Sequence, residues 1–305
     1  MTALSLPALD GHKPMAFLAA VGLTRLLTLH GGDNARLSWS KTGVTAVLHT
    51  HLGSLDEVVD TVAGIVAAIP PDGALPGVPP TLPPPGEAPD KLRLPLAELR
   101  ALVRDVGSGA SEVDAWLSSL VTDLALDDKG RSAISLMAAP SGKQSMRTML
   151  EKPLGQVRKS PSVLREALTR WRRYPGVTGE YLDHQVLFDA ADAPGGVSEE
   201  RGVPGATWLA LMAYPMLRTT ADGGDVVTTG WYRRSRRPAR FVYPLWEPAL
   251  DVSAIAGLLD HPLWCECVDA ELPQAAGALG VFAIGRAQRR RISGRNFVGV
   301  LAPLQ

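Results

Sequence analysis

Residues 14–30, PMAFLAAVGLTRLLTLH, are apolar almost all round, which predicts a buried helix. Pro14 suits a first helical turn and Gly31-Gly32 supplies a stop. Residues 36–39 and 44–49 read as two strands around the turn Lys41-Thr42-Gly43. Ser54-Leu55-Asp56-Glu57 has the form of a capping box. It opens a helix carrying Leu55, Val58, Val59, Val62, Ile65 and Val66 at helical spacing.

The stretch 70–89, PPDGALPGVPPTLPPPGEAP, suits neither a regular helix nor a central strand, and predicts an extended surface loop or linker. Beyond it the pattern predicts helices over 95–104, 112–124, 143–158 and 161–174, with an apolar strand or buried segment at 134–137. Residues 185–205 read as a mobile loop, and 206–213 as a short buried helix. Strand-like pairs follow at 226–232 with 240–243, and at 280–284 with 297–301. Short strands and helices mixed without regular βαβ alternation predict an α+β fold. The expected organisation is an N-terminal α/β unit (1–69), a proline-rich linker (70–94) and a basic α+β region (95–305) packed against the first unit.

Composition narrows the class. The chain has 305 residues, 46% hydrophobic and 20% charged, as in a globular protein. Its apolar runs at 16–23 and 62–69 fall short of the ~20 residues that span a bilayer. Two cysteines, Cys265 and Cys267, are too few for a disulfide framework, and MTALSLPALDGHK lacks a basic segment followed by an apolar one. A reducing cytoplasm is the expectation.

The net charge of zero is an average of two unlike regions. Residues 1–130 carry 9 Lys/Arg against 15 Asp/Glu, whereas residues 131–305 carry 22 against 16. Of those 22, 19 are arginine, whose planar fork suits phosphate. They gather in three clusters. Arg158, Lys159, Arg165, Arg170, Arg172 and Arg173 fall off the apolar stripe of the helix predicted at 161–174 or just precede it. Arg233, Arg234, Arg236, Arg237 and Arg240 occupy one predicted hairpin tip, and Arg286, Arg289, Arg290, Arg291 and Arg295 a second. Trp231, Tyr232 and Phe241 beside the first tip could stack on unpaired bases or anchor the hairpin to the core. Three such clusters point to nucleic-acid binding.

Other chemistry is poorly represented. Ser141-Gly142-Lys143-Gln144 lacks the first glycine and the Ser/Thr of a phosphate loop, although Lys143 could still touch a phosphate. Cys265, Cys267, His49 and His51 have no partners at metal-binding spacing, so no metal or cofactor is expected. Glu180, Asp183 and His184 read as a solvated loop; a hydrolase built on them is the weakest option.

Two stretches carry a family resemblance. LPALDGHKPMAFLAAVGLTRLLTLHGGDNARLSW (6–39) resembles the N-terminal signature of the large-subunit and accessory proteins of type I-G (formerly I-U) CRISPR systems, with Ala20-Val21-Gly22-Leu23-Thr24-Arg25-Leu26 as its core. ATWLALMAYPMLRTTADGGDVVTTGW and YPLWEPALDVSAIAGLLDHPL are similar to that family's Trp-Leu-Ala-Leu-x-Gly-x-Pro, Pro-Leu-Trp and Leu-Leu segments, with Ala213-Tyr214-Pro215 in place of Gly-x-Pro. The resemblance covers about a quarter of the chain. It implies a non-catalytic subunit of an RNA-guided complex in antiviral defence. Such a subunit would contact guide RNA or target DNA and sibling effector subunits, and could recruit a helicase-nuclease. The alternative is a scaffold subunit whose arginines dock acidic partner surfaces without touching nucleic acid.

Overall fold

The structure, a computed structural model, describes residues 1–85, 92–106, 109, 111–138, 145–186, 200–234, 237–290 and 299–304. The fold is α+β. Strand β1 (Thr2–Asp10) is followed by helix α1 (Pro14–Leu29), β2 (Arg36–Trp39), β3 (Thr45–Thr50) and α2 (Leu55–Ala68). The three strands form an antiparallel sheet in the order β1-β3-β2. As the sequence predicts, Ser54 caps α2, its hydroxyl accepting from Glu57 N, while the Glu57 carboxylate reaches back to Gly53 N at 3.0 Å.

Next come α3 (Leu96–Val106), α4 (Ser111–Leu120), β4 (Val121–Leu126) and β5 (Ser132–Ile134). The helix expected over 112–124 therefore ends early. Residues 121–126 pair instead with β5, because tertiary pairing outweighs local propensity. Helices α5 (Met146–Lys159) and α6 (Ser162–Thr169) precede β6 (Tyr174–Pro175), β7 (Arg201–Gly202) and α7 (Pro204–Leu211). The helix expected to run to residue 174 stops at Thr169, with Arg170 extended. Of the loop expected over 185–205, residues 187–199 lie outside the described residues. The C-terminal part holds β8 (Thr219–Asp222), β9 (Asp225–Thr228), β10 (Trp231–Tyr232), β11 (Arg240–Trp246), α8 (Val252–Leu259), β12 (Val281–Arg290) and β13 (Val300–Pro303). Strands β10-β11-β12-β13 make one antiparallel sheet.

Helix α1 is the centre of the core. Residues Pro14 to Leu27 of it are buried, matching its lack of a polar face. Phe17 stacks on Trp39 of β2 with centroids 5.6 Å apart and lies 4.3 Å from the Tyr243 ring of β11; Trp246 closes the group 6.2 Å from Trp39. On another side α1 packs on α7 so closely that a Cβ on Gly22 would lie 1.9 Å from the Leu209 carbonyl oxygen. The segment after β11 is tied to the first sheet, since Leu37 of β2 and Leu250 exchange backbone hydrogen bonds of 2.9 and 3.0 Å.

The proline-rich stretch is not a free linker. Ala74, Leu75, Val78 and Leu82 are buried, and α5 sends the buried Arg147 to the carbonyls of Pro80, Pro83 and Asp72. A segment that cannot pair its carbonyls in a helix or sheet finds a buried guanidinium donor instead. Among the described residues no helix is long and apolar enough to cross a membrane.

Candidate nucleic-acid interface

The four-stranded sheet sets the geometry of two arginine clusters. Trp231 pairs with Phe241 and Tyr232 with Arg240, so residues 233–239 connect β10 to β11 at one end of the sheet. Arg240 faces Gln288, and Arg290 faces Val300, so the connection from β12 to β13 leaves the same end. Two segments far apart in sequence thereby meet.

The strand pleat then sorts the arginines. Side chains on β12 alternate, and Arg286, Gln288 and Arg290 share the face of Arg240, while Ala287 and Arg289 share the face of Phe241. On the first face Arg240, Arg286 and Arg290 line a cleft of about 510 Å³ with Asp269, Glu271 and Leu304. Arg240 bonds the Val268 carbonyl at 2.9 Å and the Asp269 carboxylate, and Arg237 reaches the same carboxylate at 3.2 Å. Arg286 donates to the carbonyls of Cys267 (2.6 Å) and Ala270. Arg240 and Arg286 therefore brace the 3-10 segment Pro262–Val268 against the sheet. Arg290 is exposed at the cleft's mouth, and Arg233 and Arg234 are exposed at the neighbouring tip. No carboxylate among the described residues pairs with these three.

Arg289 points the other way and leaves the interface. Its guanidinium donates to the carbonyls of Tyr181 (2.9 Å), Gly299 (3.2 Å) and Met137 (2.6 Å), and lies 5.9 Å from the Trp231 ring centroid. Burial pushes its pKa down to about 10. It is an internal strut.

The aromatic residues expected beside the tip need the same correction. Phe241 is fully buried among Phe17, Tyr243 and Trp231, and Trp231 is buried with its indole N–H on the Met137 Sδ. Neither offers a face to a base, because the strand turns both toward α1. Tyr232 is half-buried, and burial raises its hydroxyl to about 12.

The helical cluster divides too. Arg158 donates to the Ile69 and Pro70 carbonyls at 2.8 and 2.7 Å, closing the end of α2. Arg165 pairs with Asp56. Arg173 is held by Asp183 (2.7 Å), Gln185 (2.7 Å) and the Arg201 carbonyl (2.9 Å). Lys159 and Arg170 are exposed, and Arg172 is 72% exposed, 3.9 Å from Glu166. Lys143, Arg236, Arg291 and Arg295 lie outside the described residues.

The stretch 180–184 is not solvated as the sequence suggests. Glu180 and Asp183 are buried, and Glu180 and Tyr181 adopt left-handed backbone with φ of 49° and 60°. Burial lowers the His184 pKa; Asp183 opposes this, while Arg173, Lys13 and Arg290 add to it. Cys267 is buried in the 3-10 segment and Cys265 exposed, and the described residues contain no group of His, Cys, Asp and Glu able to hold a metal.

Sequence reasoning missed the pair Trp171 and Tyr174. Both are half-buried and interleaved with Arg170, Arg172 and Arg173. Trp171 was concealed by its place on the predicted apolar stripe with Leu164, Ala167 and Leu168, and Tyr174 by its place at the predicted helix end. No protein-family model and no curated protein matches this chain.

Proposed function

We propose that the chain is a non-catalytic nucleic-acid-binding protein that contacts phosphates at the arginine-bearing end of its four-stranded sheet. We propose further that it serves as a subunit of a type I CRISPR RNA-guided effector complex. The observation that carries the first statement is the convergence at one sheet end of exposed Arg233, Arg234 and Arg290, which have no carboxylate partner among the described residues. Exposed guanidinium groups at a sheet end release counterions on meeting a polyanion. They also present a bidentate fork to phosphate oxygens. The second statement rests on the resemblance at residues 6–39 and in the two segments between 206 and 263. In such complexes base pairing supplies sequence specificity and the protein supplies backbone contacts.

Binding of a labelled duplex across a salt series tests the reading. The affinity should fall steeply with salt, and R233A/R234A together should flatten the slope by up to ~1.8, at ~0.9 per phosphate contact. A flat salt profile for the unaltered protein refutes it. The capture of Asp269 by both Arg237 and Arg240 favours one other reading, an acidic protein surface as partner. Competition by polyglutamate but not by oligonucleotide would select that reading.

A further inference from the structure

We infer that Trp171 is a base-stacking residue for single-stranded nucleic acid. The inference rests on the nucleic-acid reading above and adds the strand state and the contact residue.

Six of the seven tryptophans are buried, each at 5% exposure or less. Trp171 is the exception, half-buried just beyond the C-terminus of α6. One side of it packs on the core. Its indole N–H donates to the Ala167 carbonyl at 3.1 Å, an edge contact that orients the ring.

The cations around it are loosely held. Lys13 Nζ lies 6.0 Å from the ring centroid, and its carboxylate partner Asp10 is 3.5 Å away with the lysine 40% exposed. Arg170 is exposed without a carboxylate among the described residues. Arg172 rests over the Tyr174 ring at 5.4 Å, while the Glu166 carboxylate is already taken by the Tyr174 hydroxyl at 2.8 Å. These side chains can turn to phosphates at little cost.

A half-exposed indole among exposed cations suits unpaired bases, whose faces are open; the stacked bases of a duplex offer none. Sequence-tolerant stacking is the expected mode, since every base has a π-face.

The test uses the full chain with a fluorescein-labelled oligothymidylate and a duplex of equal length. W171A should weaken oligothymidylate binding about 5- to 150-fold while leaving the duplex affinity and the salt slope unchanged. W171F should retain most of the affinity, and a melting curve of each variant confirms that it is folded. If the unaltered protein binds neither probe, the nucleic-acid reading fails and this inference with it. If it binds oligothymidylate steeply with salt and folded W171A binds equally well, the stacking inference alone is overturned. Equal loss of duplex and single-strand binding in W171A also overturns it.

Discussion

Arg289 is the sharpest test of how the sheet divides its arginines, because the sequence places it among cations and the structure places it inside. Consider Arg289→Met, which keeps length and removes the charge. Three N–H donations are lost, to Tyr181, Gly299 and Met137. The Met137 carbonyl keeps the Tyr214 hydroxyl at 3.1 Å, so two carbonyls are left without these donations. Each such carbonyl costs about 1–3 kcal/mol when deprived of its partner. Both bonds are only part-buried, which favours the lower end, and the relieved desolvation of the guanidinium offsets a portion. The net loss is ~2–4 kcal/mol, a fall in Tm of ~4–8 °C for a chain of this size. Thermal unfolding followed by near-ultraviolet circular dichroism reads it, with the Trp231 environment as reporter. Binding measured well below the melt should keep its salt slope. An unchanged Tm with a slope reduced by ~0.9 would refute the reasoning, since it would make Arg289 a phosphate ligand.

Other perturbations test the frame. Gly22→Ala should destabilise by ~1–3 kcal/mol despite a helix-propensity gain of ~1 kcal/mol, because the new Cβ meets backbone on α7 that cannot step aside; urea midpoints check this. Burial raises the Asp33 pKa, but hydrogen bonds from the Thr50 hydroxyl, the His51 N–H and ring, and the Asn34 N–H outweigh it and hold the carboxyl below its ordinary 3.8. A depressed folded pKa contributes stability above 3.8 that is lost as pH falls further, so Asp33→Asn should cost ~1–3 kcal/mol at neutral pH. The gap to the unaltered protein should narrow below pH 3.8 when urea midpoints are compared across pH; a constant gap would contradict the assignment.

What the sequence determined by itself was local. The all-apolar 14–30 stretch became the buried α1, the Ser54–Glu57 pattern became a cap, and the mixture of short elements was α+β. These depend on periodicity and on hydrogen bonds a few residues apart, which neighbours in sequence control. The arginine clusters were also visible as counts. Which members face water was a tertiary decision, because a pleat assigns alternate residues to opposite faces and only packing on α1 decides which face is inside. That decision buried Trp231 and Phe241, turned the half-buried Arg289 inward onto three carbonyls, left Arg233, Arg234 and Arg290 outside, and engaged Arg158 and Arg286 with further backbone carbonyls. The same long-range packing ended α6 at Thr169 and left Trp171 half-buried beyond its end.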